Sequence, residues 1–371
     1  MKGKLMERKK MKKKGFTLVE LLVVIAIIAM LLAILMPALG KVRQLAQRIM
    51  CGTNIGGLGK AILTYATDDK YESYPIAGPS STVWDFGTIG TNNNRGGKCS
   101  WDWRLKAPPC LAPCTGTNAN PSSTAPADST ISACLYLLVK FADVSPDQFV
   151  CSGSDEKKFD MGLYNITPGV TFGTSFTDFW DFGGRDEDTP DGVRGRGHNS
   201  YSYHLPFPPK GATGAGATAY PVSGISNPAM ALIADRNPFW DWVNNKAPGT
   251  GTPTSTDNRP NLYNWIPASG GTGGYVVSDT IAQGNNTYHQ KDGQNVLYAD
   301  QHVKFEKSAN CGVQNDNIYT TWGFNDSEMA GKTSDEQARL RQCGNAEPAL
   351  DTTNKNYVQS KEDNYLVNEF N

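Results

Sequence analysis

From Phe16 to Leu35 every position is apolar except Thr17 and Glu20, and the stretch just before is crowded with cations. Twenty residues at 1.5 Å rise cover about 30 Å, so this run predicts a helix that crosses the hydrocarbon core. Lys2, Lys4, Arg8, Lys9, Lys10, Lys12, Lys13 and Lys14 stand against Glu7 alone. That imbalance holds the N-terminus in the cytoplasm and sends the remainder outward. Beyond the run the pattern turns amphipathic, with Leu39, Val42, Ala46 and Ile49 separated by Lys41, Arg43, Gln44, Gln47 and Arg48. The helix is expected to continue out of the membrane with one face ready for a neighbour. Pro37 removes a helix hydrogen bond and predicts a local kink or melted turn. Gly52, Gly56, Gly57 and Gly59 weaken the helix, each by about 1 kcal/mol relative to alanine. It recovers through Lys60–Tyr65 and stops before Pro75. Three parts follow: a basic leader at 1–15, a helix at 16–66 with its membrane part at 16–36, and an exported head at 67–371.

Within the head, Cys134–Phe141 reads as the best helix and Ala229–Asp235 as a buried strand. Asn295–Ala299 and His302–Phe305, separated by Asp300-Gln301, read as a hairpin with a two-residue turn. Ser334-Asp335-Glu336-Gln337 has the capping-box form and starts a short helix to Gln342. Stretches rich in Gly, Pro, Ser, Thr and Asn at 107–130, 206–224 and 244–274 read as surface loops. The fold class is α+β: a long N-terminal helix followed by a β- and loop-rich head.

Composition agrees with an exported head, with charged residues at 19%, 38 glycines and 22 prolines. A net charge of −1 that includes +7 from the leader leaves −8 for the rest. Nucleic-acid binding wants a basic face and finds no support here. The eight cysteines, in an exported chain, suggest disulfides. Cys134–Cys151 and Cys311–Cys343 each enclose a short segment and are the expected pairs. Cys99, Cys110 and Cys114 are uneven in number, so one of them can reach Cys51. Cys110-x-x-x-Cys114 could also begin a zinc site, but no second half follows at metal-site spacing.

The six residues Gly15-Phe16-Thr17-Leu18-Val19-Glu20, set between cations and an apolar run, resemble the prepilin signal of type IV pilins and type II secretion pseudopilins. That resemblance implies cleavage after Gly15 by a prepilin peptidase and methylation of the new N-terminal Phe16. It also implies assembly through the helix, with Glu20 neutralised by the freed amine of Phe16 in the same or a neighbouring subunit. A carboxylate inside a membrane segment costs about 2.5–3.5 kcal/mol and needs such a partner; the other reading puts Glu20 near the interface, in reach of water. Pro37 sits where filament helices of this family loosen. An ordinary signal peptide cut after Ala38-Leu39-Gly40 fits less well, since its apolar region runs only about 7–15 residues. A plain uncut anchor is the third option.

A narrower resemblance rests on Cys51, Asn54, Ile55, Leu58, Gly59, Ala61, Tyr65 and Pro75, and on Phe149-Val150-Cys151-Ser152, Asn199-Ser200-Tyr201-Ser202-Tyr203 and Asp235-Arg236-Asn237-Pro238. Together with His289, Asp300 and His302-Val303 they look like the large-headed, planctomycete-type pilin-like proteins that carry a C-terminal His…Asp-Gly processing-associated motif. The match departs from that motif twice. Ten residues rather than nine separate His289 from Asp300, and Gln301 replaces glycine, a poor fit to a turn that needs φ > 0.

Candidate chemistry is sparse. His289, His302, Asp300 and Asp235 can meet on one sheet edge as a metal or acid–base site, although no catalytic motif accompanies them. Asp186, Asp188 and Asp191 lie in an acidic, glycine-bearing loop with the donors calcium takes but no calcium-loop spacing. Trp101-x-Trp103 and Trp240-x-Trp242 fit either a carbohydrate platform or ordinary core. The expectation is a structural, non-enzymatic subunit with no cofactor beyond a possible calcium ion. It is anchored in the inner membrane with its head periplasmic, and is then drawn into a pseudopilus or surface filament. Its partners are prepilin peptidase, copies of itself and other pilin-like subunits, and an inner-membrane assembly platform with its ATPase. A filament-tip or membrane-anchored adhesin gripping polysaccharide is the alternative.

Overall fold

A computed structural model describes residues 17–69, 72–77, 83–84, 128–129, 131–154, 156, 158–159, 175–179, 182, 198–207, 219–238, 265–266, 274–275, 285–286, 288–322, 324–342, 358 and 360–367. The chain divides into two units, Met1–Ala46 and Gln47–Asn371. Helix α1 (Leu18–Asp68) runs from the first into the second without a break, and Pro37 melts no turn in it. In the first unit its apolar side chains are exposed, among them Leu22, Ile28, Leu35, Leu39 and Val42. Among the described residues α1 is the one helix long and apolar enough to cross a membrane.

The second unit is built on a five-stranded antiparallel sheet of order β8-β7-β4-β3-β9. Its strands are β3 (Tyr201–His204), β4 (Ala231–Asp235), β7 (Gln294–Tyr298), β8 (Val303–Glu306) and β9 (Leu366–Val367). Four further two-residue strands stand apart from it. β1 (Val83–Trp84) pairs in parallel with β2 (Asp128–Ser129), and β5 (Trp265–Ile266) pairs antiparallel with β6 (Gly274–Tyr275). Stretches expected to be loops therefore hold short ladders.

Both faces of the central sheet are buried, which is why β4 reads as a continuous apolar run rather than an alternating one. One face, with Tyr201, Tyr203, Ile233 and Leu297, packs under α1 residues Cys51, Ile55, Leu58 and Ile62. Helix α2 (Ile131–Phe141) joins that layer and is buried from Ile131 to Val139; it begins three residues before the expected Cys134. The opposite face, with Ala231, Ala234, Val296 and Tyr298, packs on Ala309, Ile318 and Tyr319. Helices α3 (Asp326–Ala330) and α4 (Ser334–Gln342) follow. The cap of α4 is Thr333 with Glu336, one residue earlier than expected. Thr333 Oγ1 accepts the Glu336 amide and Glu336 Oε2 accepts the Thr333 amide.

The glycines of α1 do not interrupt it. Gly52, Gly56 and Gly59 share one face and lie along the β7–β8 hairpin: a Cβ at Gly52 would stand 2.9 Å from Asn295 Oδ1, and one at Gly59 2.8 Å from Gln301 Oε1. Their missing side chains let the helix backbone approach the hairpin closely, which offsets their poor helix propensity. The hairpin itself turns through three residues rather than two. Gln301 N–H donates to Tyr298 O at 2.9 Å, Tyr298 N–H donates to His302 O at 3.0 Å, and Gln301 is left-handed at φ 72°. This is the type I turn plus left-handed residue of three-residue hairpin loops, normally glycine's place. Glutamine holds it because its Nε2 donates to Tyr74 Oη (3.3 Å) and Ala299 O (3.4 Å).

Candidate functional site

At the start of α1, Glu20 is tied back to Thr17. Its Oε2 accepts the Thr17 amide at 2.8 Å and the Thr17 hydroxyl at 2.7 Å, while Thr17 Oγ1 accepts the Glu20 amide at 3.3 Å. This reciprocal pair satisfies two of the helix's orphan donors and places the carboxylate at the positive end of the helix dipole. Gly15 and Phe16 lie outside the described residues, as do Asp186, Asp188, Asp191, Cys343, Cys99, Cys110, Cys114 and the paired tryptophans at 101, 103, 240 and 242.

A group of the head's buried polar side chains converges beneath α1 around Cys51. Cys51 on α1 is bonded to Cys151, just after the 3₁₀ turn Pro146–Phe149, with Cα atoms 5.3 Å apart. This overturns the expected Cys134–Cys151 bridge. Cys134 faces the core from α2 and accepts the Ala77 amide at 3.3 Å, whereas Cys151 abuts α1 within disulfide reach. Cys311 holds a free thiol, and its expected partner Cys343 lies outside the described residues. Burial pushes that thiol up to about 12.

Beside the disulfide lies His289, whose Nε2 stands 3.1 Å from Asp235 Oδ2 and 4.0 Å from Cys151 Sγ. Asn295 clamps the same carboxylate oxygen through its amide at 2.6 Å and its Nδ2 at 3.1 Å, and Nδ2 also reaches Arg48 O on α1. Burial, with the Asp235 carboxylate nearby, pushes the Tyr201 phenol well above its ordinary range. A second pair adjoins the first along the chain: Arg236 and Glu156 form a buried ion pair. Glu156 also accepts Ser200 Oγ at 2.5 Å and Tyr288 Oη at 3.0 Å.

Asp300 and His302 do not join His289. They pair with each other on the exposed hairpin turn, at the opposite end of β7 from Asn295, and His302 stacks on Tyr298. The strand between accounts for roughly 13–17 Å of separation. The expected four-residue site therefore splits, with His289 and Asp235 buried and Asp300 and His302 exposed. Asp292, three residues after His289, pairs with Arg48, whose guanidinium lies over the Phe305 ring at 4.9 Å. Gly293 is required where the chain enters β7. Its φ is 150°, and a Cβ there would meet Glu306 O at 2.2 Å.

Spacing alone could not have found Cys51–Cys151 or Glu156–Arg236, separated by 100 and 80 residues. The short polar fragments around Cys151, Ser200, Asp235-Arg236 and His289 were the available signal, and they meet here. The cluster is sealed under a helix and built as an internal tie between elements. The apolar span that follows Glu20 is exposed along its length.

A long, exposed, apolar N-terminal helix leads into an α+β head, an arrangement that suits membrane anchoring. The sequence profile described as the prokaryotic N-terminal methylation motif matches residues 10–36. That match supports a type IV pilin-like precursor processed by prepilin peptidase, and a structural role rather than an enzymatic one. No curated protein and no solved structure matches the chain.

Proposed function

We propose that the chain is a structural pilin- or pseudopilin-like subunit, cleaved after Gly15, N-methylated at Phe16 and assembled through α1 into a type II secretion pseudopilus or a type IV-like filament. One observation carries the reading: the methylation motif at 10–36 takes in the start of a long apolar helix whose apolar side chains are exposed through the first unit. In the inner membrane, lipid covers that face and the head lies in the periplasm. On assembly, neighbouring helices replace the lipid. The inner-membrane platform and its ATPase supply the work, and other pilin-like subunits complete the fibre.

Before cleavage, Thr17 holds the Glu20 carboxylate in the cap. After cleavage the amine of Phe16, four residues away, offers a full charge in low dielectric, and an incoming subunit can be registered by that pair. Mass spectrometry of the chain from its native membrane tests this. The expected N-terminus is methyl-phenylalanine at position 16. A chain beginning at Lys41, or one that keeps its basic leader and never associates with other subunits, refutes it.

A further inference from the structure

The geometry points to a second state of the buried cluster: with the Cys51–Cys151 bond reduced, Cys51, Cys151, His289 and Asp235 form a four-ligand site for a zinc-class divalent ion. One ligand atom from each of the four lies within 4.8 Å of the others, and all four residues are buried. Two thiolates, an imidazole and a carboxylate suit a borderline-soft ion with tetrahedral preference. Opening the disulfide to two thiolates about 2.3 Å from a common metal needs a sulfur–sulfur separation of about 3.7 Å, within reach of side-chain rotation.

An independent observation favours an ion here. Asp235 is fully buried, and its Oδ1 has no hydrogen-bond partner among the described residues, although Oδ2 has three neighbours. A buried carboxylate oxygen without a donor is rare and often marks a missing ion or water. Asn295 is already placed as the outer-shell donor that would hold the ligating carboxylate in position.

Disulfide and ion exclude each other. A dithiol reductant supplies two electrons and two protons, leaving as its own disulfide, and gives the Cys51 and Cys151 thiols. A divalent ion then binds both thiolates and releases the two protons. Newly made chain, not yet oxidised, reaches the same thiols without any reductant. Either state fastens α1 (Cys51) to the segment after Phe149 (Cys151). The ion also draws in β4 (Asp235) and the turn before β7 (His289), so the helix stays docked in both.

Cobalt(II) is the probe. The full chain in detergent micelles is reduced with a phosphine, freed of metal and titrated while the d–d and thiolate charge-transfer bands of tetrahedral cobalt are followed. One equivalent is expected to bind, to be displaced by zinc, to be absent from the oxidised chain and to vanish in the Cys51→Ser/Cys151→Ser double variant. His289→Gln and Asp235→Asn should each weaken binding at least tenfold, and Asn295→Ala about 10–100-fold. Bands unchanged by His289→Gln and Asp235→Asn would place the ion on other cysteines and overturn the proposal. So would a reduced, folded chain that shows no bands, or a reduced chain that loses its fold and is not restored by zinc.

Discussion

Alanine substitutions along the glycine face of α1 separate helix propensity from packing. In an unconstrained helix each gains about 1 kcal/mol over glycine. At Gly56 the new Cβ meets Val303 Cγ2 at 3.6 Å, an ordinary contact, so Gly56→Ala should stabilise the head by up to about 1 kcal/mol. At Gly52 it falls 2.9 Å from Asn295 Oδ1. Moving Asn295 disturbs its grip on the Asp235 carboxylate, a class of hydrogen bond worth about 1.5–3 kcal/mol. Set against the propensity gain, Gly52→Ala should cost about 0.5–2 kcal/mol. Gly59→Ala overlaps Gln301 Oε1 at 2.8 Å and Leu297 Cδ1 at 2.9 Å. Overpacking of this kind costs about 1–3 kcal/mol, leaving a net loss of about 0–2. Thermal unfolding of the full chain in detergent, followed by tryptophan fluorescence, reads about 1.5 °C per kcal/mol for a unit of this size. Melting points that rise equally for all three variants would show that the glycines only weaken the helix and that close approach to the hairpin plays no part.

Two more outcomes follow from the buried charges. Arg236→Met strands Glu156 in the core and should cost about 3–5 kcal/mol by urea unfolding, much of it recovered by adding Glu156→Leu; additive losses in that double-mutant cycle would mean the two side chains do not act as a pair. Burial lowers the His204 imidazole from 6.5 to about 4, so between those values the unfolded chain binds a proton the folded one refuses. Stability should therefore fall by about 3 kcal/mol as pH drops from 6.5 to 4, and His204→Gln should flatten that slope; an unchanged slope in the variant would assign the pH dependence elsewhere.

Local pattern carried the elements with strong periodicity. The apolar run, the buried strand at 231–235, the helix at 131–141 and the short helix ending at Gln342 were all legible, with ends shifted by a few residues. What escaped was set by tertiary contact. Glycine in α1 reads as weakness until Asn295 and Gln301 are seen filling the space it leaves. Gln301 in the hairpin reads as a misfit until Tyr74, 227 residues away, receives its amide. Short enclosed segments suggested the wrong sulfur partners, because proximity in sequence says little about which face of α2 holds Cys134. Of the four residues expected on one sheet edge, His289 and Asp235 lie at one end of the five-residue strand β7 and Asp300 and His302 at the other, a division that the register of β7 against its neighbours sets.

A helix whose inner face from Cys51 to Ala66 is core cannot be pulled without pulling the sheet. Tension entering α1 at Gln47 is borne in shear by the interlocked glycine face and by a covalent bond one turn further on, at Cys51. Extraction from a bilayer would thus move the globule as cargo rather than unravel it. The rupture threshold of that coupling is set by sulfur chemistry, not by side-chain burial.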